Sequence, residues 1–317
     1  MEFAASIAEP EKHADALLVP CASRKSLRVA AHASAISLPV APQREVETAW
    51  LGLLRALPPE RSAGTLYLGR GFHLARQAAS ATGARLYAVS AGLGLVAAET
   101  VVPAYGITVG GRGPDSVANC VLGRFDAEAW WRAVSGGPFA TPLVELFKER
   151  ASKPVLVALT QPYARMLAPA LDSLADGVIA RLRIVGINLK SSLPQRLAEQ
   201  MLPYDNRLEA ILPGTLADFP QRAITHFAVE CLRFHPDANV GEHQCWVENA
   251  LAGRIPPKRR KRSRLSDEDV VRLIERHLAR ASSVGRLLRV LRDEEGGACE
   301  QARFSRLYHR AVDRRVA

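Results

Sequence analysis

Five short apolar runs, each closing on a small, polar or basic segment, constrain this chain more than any other feature of its sequence. They are Ala16-Leu17-Leu18-Val19-Pro20, Thr65-Leu66-Tyr67-Leu68-Gly69, Leu86-Tyr87-Ala88-Val89-Ser90, Pro154 to Thr160 and Leu182 to Ile187. Runs this short, apolar without alternation, read as strands buried on both faces. Helical spacing is predicted between and after them, at 43–57, 72–81, 126–134, 141–150, 163–174 and, as the last helix of this part, 218–233. A Gly-rich stretch at 106–123 reads as irregular. Strands alternating with helices define an α/β fold whose mainly parallel sheet is covered by helices on both faces.

In such sheets the working groups lie beyond the carboxyl ends of the strands. That rule selects Cys21 to Lys25, Gly69 to Phe72, Ser90 to Gly94, Thr160 to Tyr163 and Asn188 to Ser191. Cys21-Ala22-Ser23-Arg24-Lys25 brings a hydroxyl, a guanidinium and an ammonium onto one turn, suited to a phosphate or to the oxyanion of a base. It lacks the GxxxxGK[ST] spacing of a triphosphate loop, and an ordinary strand-to-loop transition would also explain it. The Cys21 thiol is a candidate nucleophile with nothing adjacent to activate it. In Ser90-Ala91-Gly92-Leu93-Gly94-Leu95 the glycines suit either close approach of a ligand or a tight turn. Glu99 offers a carboxylate for acid–base work or a solvated hairpin charge, with Tyr105 close behind. Pro203-Tyr204-Asp205-Asn206-Arg207 is a polar turn in which Asp205 and Asn206 can orient a water. Asp218 reads as a helix cap and His226 as a packed histidine. His235, His243 and Cys245 fit no zinc spacing, and the five cysteines are scattered without CxxC pairs, so no metal, cofactor or disulfide framework is expected.

Charge divides the chain. Residues 256–317 carry 17 of the 42 Lys and Arg but 9 of the 32 Asp and Glu, whereas the rest is close to neutral. Pro256-Pro257 ends any preceding helix, and Lys258, Arg259, Arg260, Lys261 and Arg262 open a like-charged run that reads as a linker over 256–264. Ser266 is a good N-cap before Val270, Val271, Ile274 and Leu278 at helical spacing. Ser282 or Ser283 caps a second helix, Glu294-Glu295-Gly296-Gly297 breaks it, and a third runs from about Cys299 to Arg310 with Arg303, Arg306 and Arg310 outward. Three short helices, the last one basic, suit a helix-turn-helix-like reader of DNA over 265–317; a dimerisation bundle is the alternative. Residues 1–255 form the other domain. No apolar run is long enough to span a membrane, Met1-Glu2-Phe3-Ala4 opens no secretory signal, and a cytoplasmic protein is expected.

Taken together, the Cys-Ala-Ser-Arg-Lys opening, the segment Leu86 to Leu95 with Glu99 and Tyr105 behind it, and Pro-Tyr-Asp-Asn-Arg resemble one bacterial group over about residues 15–233. It is the group related to the peroxide-stress proteins and to the uracil-DNA-glycosylase-like domain of archaeosine synthase. With its basic tail the chain also looks like the phage-defence DNA glycosylases that remove glucosylated hydroxymethylcytosine. The resemblance implies a glycosylase-like α/β domain acting on double-stranded, modified phage DNA and leaving abasic sites, with a base flipped into a pocket at the strand ends. No catalytic residue carries over by motif; if that activity holds, a carboxylate such as Asp205 or Glu99 would stabilise the charge on the deoxyribose, and Cys21, Ser23, Arg24, Lys25, Arg70, Ser90, Gly92, Tyr105, Asn206 and Arg207 are the candidate substrate-binding set. The Gly-Gln-Asp-Pro-Tyr and His-Pro-Ser motifs of uracil-DNA glycosylases are absent; Leu68-Gly69-Arg70-Gly71-Phe72-His73 and His235-Pro236-Asp237 stand in comparable places. A 7-deazaguanine-related base exchanger on tRNA or DNA, and a non-enzymatic DNA-binding stress or regulatory protein, are the competing readings.

Overall fold

The computed structural model describes residues 12–110, 113–147, 152–256, 262–279 and 283–316. Met1 to Ala4, Lys258, Arg259, Arg260, Lys261, Ser282 and the end of the helix predicted at 141–150 therefore lie outside the described residues. The chain divides into two compact units, 1–256 and 257–317.

The first unit is α/β. Its strands are β1 (Ala16–Pro20), β2 (Arg85–Ser90), β3 (Gly94–Ala97), β4 (Val155–Ala158) and β5 (Leu182–Val185), in the order β3-β2-β1-β4-β5. All pairings are parallel except β2 with β3. β1, at the centre, and β4 and β5 are buried along their whole length, which is why their sequences show no polar alternation. Helices α1 (Gln43–Ala56), α2 (Arg70–Thr82), α3 (Ala127–Ser135), α4 (Gln161–Asp172), α5 (Phe219–Phe227) and α6 (Val240–Leu251) complete the unit. α2 and α5 pack together on the sheet, while α1, α3 and α4 form a second set.

Three elements differ from the sequence reading. Thr65–Gly69 is not a strand: Ala63–Leu66 is a helical turn, and Tyr67 makes only one antiparallel bridge, to Lys25. The fifth strand is instead β3, reached from β2 through a tight turn. Gly94, at φ +77°, pairs back onto Ser90, a conformation that an L side chain rarely adopts. α6 was missed, although Asn239 and Glu242 form a capping box and His243, Val247 and Leu251 recur at helical spacing on its buried side.

The second unit packs α7 (Asp267–His277), α8 (Val284–Asp293) and α9 (Gln301–Val316) around Val270, Ile274, Leu287, Leu291, Phe304 and Leu307. Ser266 accepts from the Asp269 amide and Ser283 from that of Arg286, so both caps form locally. Gly296, at φ +62°, turns the chain so that Gly297–Ala298 pairs in parallel with Ser263–Arg264. Among the described residues no helix is long and apolar enough to cross a membrane.

Candidate functional site

The chain adds β2 and β3 on one side of β1, then crosses back to add β4 and β5 on the other. The connections leaving β1 and β4 therefore diverge, and a crevice opens beyond the carboxyl ends of these two strands. A cavity of about 310 Å³ occupies that place. Cys21, Ser23 and Lys25 enter it from the end of β1, and Tyr163 from the first turn of α4 after β4. Val29, Ala31 and Ile107 give it apolar walls, and Ser34, Thr108 and Asp115 add polar groups. Among the described residues Lys25 is the only cation and Asp115 the only carboxylate on its lining.

The floor is rigid. Ser90 Oγ accepts hydrogen bonds from the Gly92 and Leu93 amides, at 3.1 and 2.9 Å. Its own proton is therefore free for Tyr105 OH, 2.5 Å away, which is in turn 2.6 Å from Tyr67 OH. Trp50 and Trp130 donate their indole N–H to the carbonyls of Gly92 and Ala91, both at 2.7 Å, and so hold the turn from below. Burial pushes Tyr67 and Tyr105 well above the ordinary phenol value, so both remain neutral donors and acceptors.

Lys25 lies over this floor, with Nζ 4.6 Å from the centre of the Tyr105 ring and 5.9 Å from that of Tyr67. Its one described hydrogen bond, to the Ala22 carbonyl, is long at 3.4 Å, and among the described residues no carboxylate pairs with it. Burial holds its ammonium below the ordinary value of 10.5, with Cys21 and Asp115 pulling the other way. Cys21 Sγ is hydrogen-bonded to Tyr163 OH at 3.2 Å. Burial raises Tyr163 as well, so it meets Cys21 as a neutral phenol.

A second cavity, of about 370 Å³, lies on the other side of the Cys21–Arg24 segment. Arg24, Arg70, Gly71 and Gln221 line it, and Arg70 Nη1 is 3.7 Å from Asp218 Oδ2.

The remaining sequence candidates stand elsewhere. Glu99 pairs with Arg85 in an exposed ion pair at the amino-terminal end of β2, the opposite rim of the sheet, because β3 runs antiparallel and carries the chain away from the crevice. Asp205 lines neither cavity: it accepts from the Arg207 amide and side chain, and Arg207 also reaches Glu248 at 3.3 Å. Although burial works against ionisation, the Arg207 hydrogen bonds hold the Asp205 carboxyl below its ordinary range. Asn206 opens the short 3-10 turn that Asp205 caps. Ser90, Gly92 and Tyr105 are fully enclosed and build the floor, not the lining. A Cβ on Gly92 would come within 2.6 Å of Ile107 and 2.8 Å of Tyr105, so packing demands this glycine, not ligand approach. Asp218 accepts from Thr215 and from Arg222 Nε and makes no capping bond to its helix. His226 is indeed packed, with Nδ1 2.7 Å from Tyr204 OH and its ring against Trp246.

In the second unit Arg262, Arg264, Arg292 and Arg303 surround a shallow hollow of about 500 Å³. Arg303 is not simply outward: its guanidinium is bonded to Asp267 Oδ1 and to the Leu265 carbonyl, tying α9 to the start of α7. Arg262 pairs with Asp293 at 3.0 Å, whereas Arg306 and Arg310 are exposed on α9.

Sequence reasoning missed Asp115. It sits in the irregular stretch whose only signal was glycine, and the bridge between Thr108 and Ser116 folds it back to the crevice. Tyr163 lay within a segment that the strand-end rule had selected. Fold and crevice together define an α/β protein with a cavity at its topological switch point. No protein-family model, curated protein or solved structure matches this chain.

Proposed function

We propose that the chain is a DNA base-excising enzyme, an N-glycosidic bond hydrolase that receives one extruded nucleoside in the β1/β4 crevice. The supporting observation is the lining of that cavity. Its apolar walls suit the faces of a heterocycle, and the hydroxyls of Ser23, Ser34 and Thr108 suit its edges. Asp115 supplies a single carboxylate where positive charge would develop on the deoxyribose as the bond to the base breaks. In this reading it stabilises that charge and directs a water to the anomeric carbon, the role the sequence had given to Asp205 or Glu99. Ile36, 66% exposed at the mouth, is an apolar side chain placed to fill the gap an extruded base leaves. The second unit would bind the duplex through phosphates, using Arg264, Arg306 and Arg310. Its similarity to phage-defence glycosylases makes glucosylated hydroxymethylcytosine the first base to try.

The test is incubation of the full chain with unmodified, hydroxymethylated and glucosylated phage DNA, scoring alkali-labile sites. We expect such sites in at least one substrate. Asp115→Asn should lower their rate by about 100-fold or more, and Asp205→Asn should leave it unchanged. No labile sites on any of the three would remove the reading; base release with an intact, alkali-stable backbone would point to exchange. Arg264, Arg306 and Arg310 changed together to Gln should weaken DNA retention and flatten its salt dependence, and an unaltered salt slope would discard the tail's assigned role.

A further inference from the structure

The cavity holds a primary amine with almost nothing to do. Lys25 Nζ makes one long hydrogen bond, faces two aromatic rings and has no carboxylate partner among the described residues, although a lysine stem this deeply placed ordinarily ends in an ion pair or in water. Its position is nonetheless defined. The backbone of Lys25 is bridged to Tyr67, and the Ser90–Tyr105–Tyr67 hydroxyl chain fixes the rings beneath the ammonium. The groups facing it are the Cys21 thiol, the two neutral phenols and, at longer range, Asp115. An amine that is desolvated, unpaired and held at the wall of a substrate cavity is the arrangement that makes lysine a nucleophile toward carbonyl carbon.

Building on the base-excision reading, we infer that Lys25 captures the product: its amine condenses with the C1′ aldehyde of the ring-opened abasic deoxyribose left in the cavity. The ammonium first releases one proton to solvent; the Nζ lone pair of the free amine then forms the N–C1′ bond, and the aldehyde oxygen departs as water with the two hydrogens that remained on the nitrogen. The resulting C=N bond is neither oxidised nor reduced relative to the aldehyde, and water restores both partners. Asp115, the only carboxylate on the lining among the described residues, is the group available to pass protons during the loss of water. The function gained is retention of a reactive abasic site until it is handed on. Burial holds the ammonium below the ordinary lysine value of 10.5, which enlarges the share of free amine over that of an exposed lysine.

The experiment gives the full chain a duplex bearing one preformed abasic site, made by an independent enzyme from a uracil-containing strand, with cyanoborohydride to reduce any imine. A denaturing gel should show a one-to-one protein–DNA conjugate at neutral pH, and peptide mapping of the wild-type conjugate should place the DNA on Lys25. Lys25→Arg, which keeps the charge, should reduce the conjugate to background. Absence of a conjugate overturns the inference, as does attachment at the basic tail or at the amino terminus. Mapping on the wild-type protein needs no variant to fold. Since the aldehyde is supplied ready-made, a conjugate without excision on any phage DNA would count against base excision alone. Excision without a conjugate would count against Lys25 alone.

Discussion

Two cations of the first unit, Arg222 and Lys25, are both withdrawn from water, and they are treated in opposite ways. Arg222 is fully buried, and its guanidinium donates to Asp218, Glu209 and the carbonyls of Leu212 and Thr215, at 3.0, 2.8, 2.5 and 2.8 Å. Its charge is neutralised twice over and its donors point at acceptors that the chain itself provides. Lys25 has one weak acceptor and an open cavity beside it. A buried charge surrounded by its own partners organises structure, here the segment 209–218 against α5. A charge left with unused donors beside an open cavity is ready for something that arrives from outside.

The largest expected effect breaks the first half of this contrast. Arg222→Met removes the buried guanidinium that Glu209 and Asp218 share, Arg70 staying 3.7 Å from Asp218, and should lower stability by about 3–5 kcal/mol, read from urea unfolding; a loss near zero would show that the cluster organises nothing. Next comes a third buried cation, Arg183, whose Nε donates to His243 Nδ1 at 2.8 Å while His243 Nε2 donates to the His235 carbonyl at 3.0 Å. Burial, aided by Arg183, pushes His243 down from 6.5 to about 4. Between those values the unfolded chain takes up a proton that the folded chain refuses, so stability should fall as the pH drops through this window. Above it the contribution is fully present. His243→Gln should shrink that fall, and superimposable pH profiles for the two proteins would refute the assignment. The smallest effect on stability belongs to Lys25→Met, which removes a desolvated and unpaired charge: a change of about 1 kcal/mol or less, neutral to stabilising, together with loss of the cyanoborohydride-trapped conjugate. A destabilisation as large as that of Arg222→Met would place Lys25 in the same structural class and end the contrast.

Much of the crevice was legible before any coordinates. Cys21 to Lys25 and Thr160 to Tyr163 were two of the five strand-end segments that the rule for parallel sheets selects, and the strand order then puts these two at the switch point. Glu99 was misjudged because a turn of three residues reverses the chain and sends β3 to the far rim, a geometry that depends on the φ of Gly94. Gly92 was misjudged because its neighbours, Trp50, Tyr105 and Ile107, come from elsewhere in the chain.

What the amino-acid order settled unaided is local: strands without polar alternation, serine caps ahead of α7 and α8, and the break at Gly296. These depend on contacts within a turn or two of helix or along one strand, where spacing alone decides which groups meet. Which distant groups come to share one site is different. Asp115 reaches the crevice across 90 residues from Lys25, and Asp205 is turned onto Arg207 and away from it. Such partnerships follow from how loops close over a finished sheet, and no periodicity in the chain encodes them.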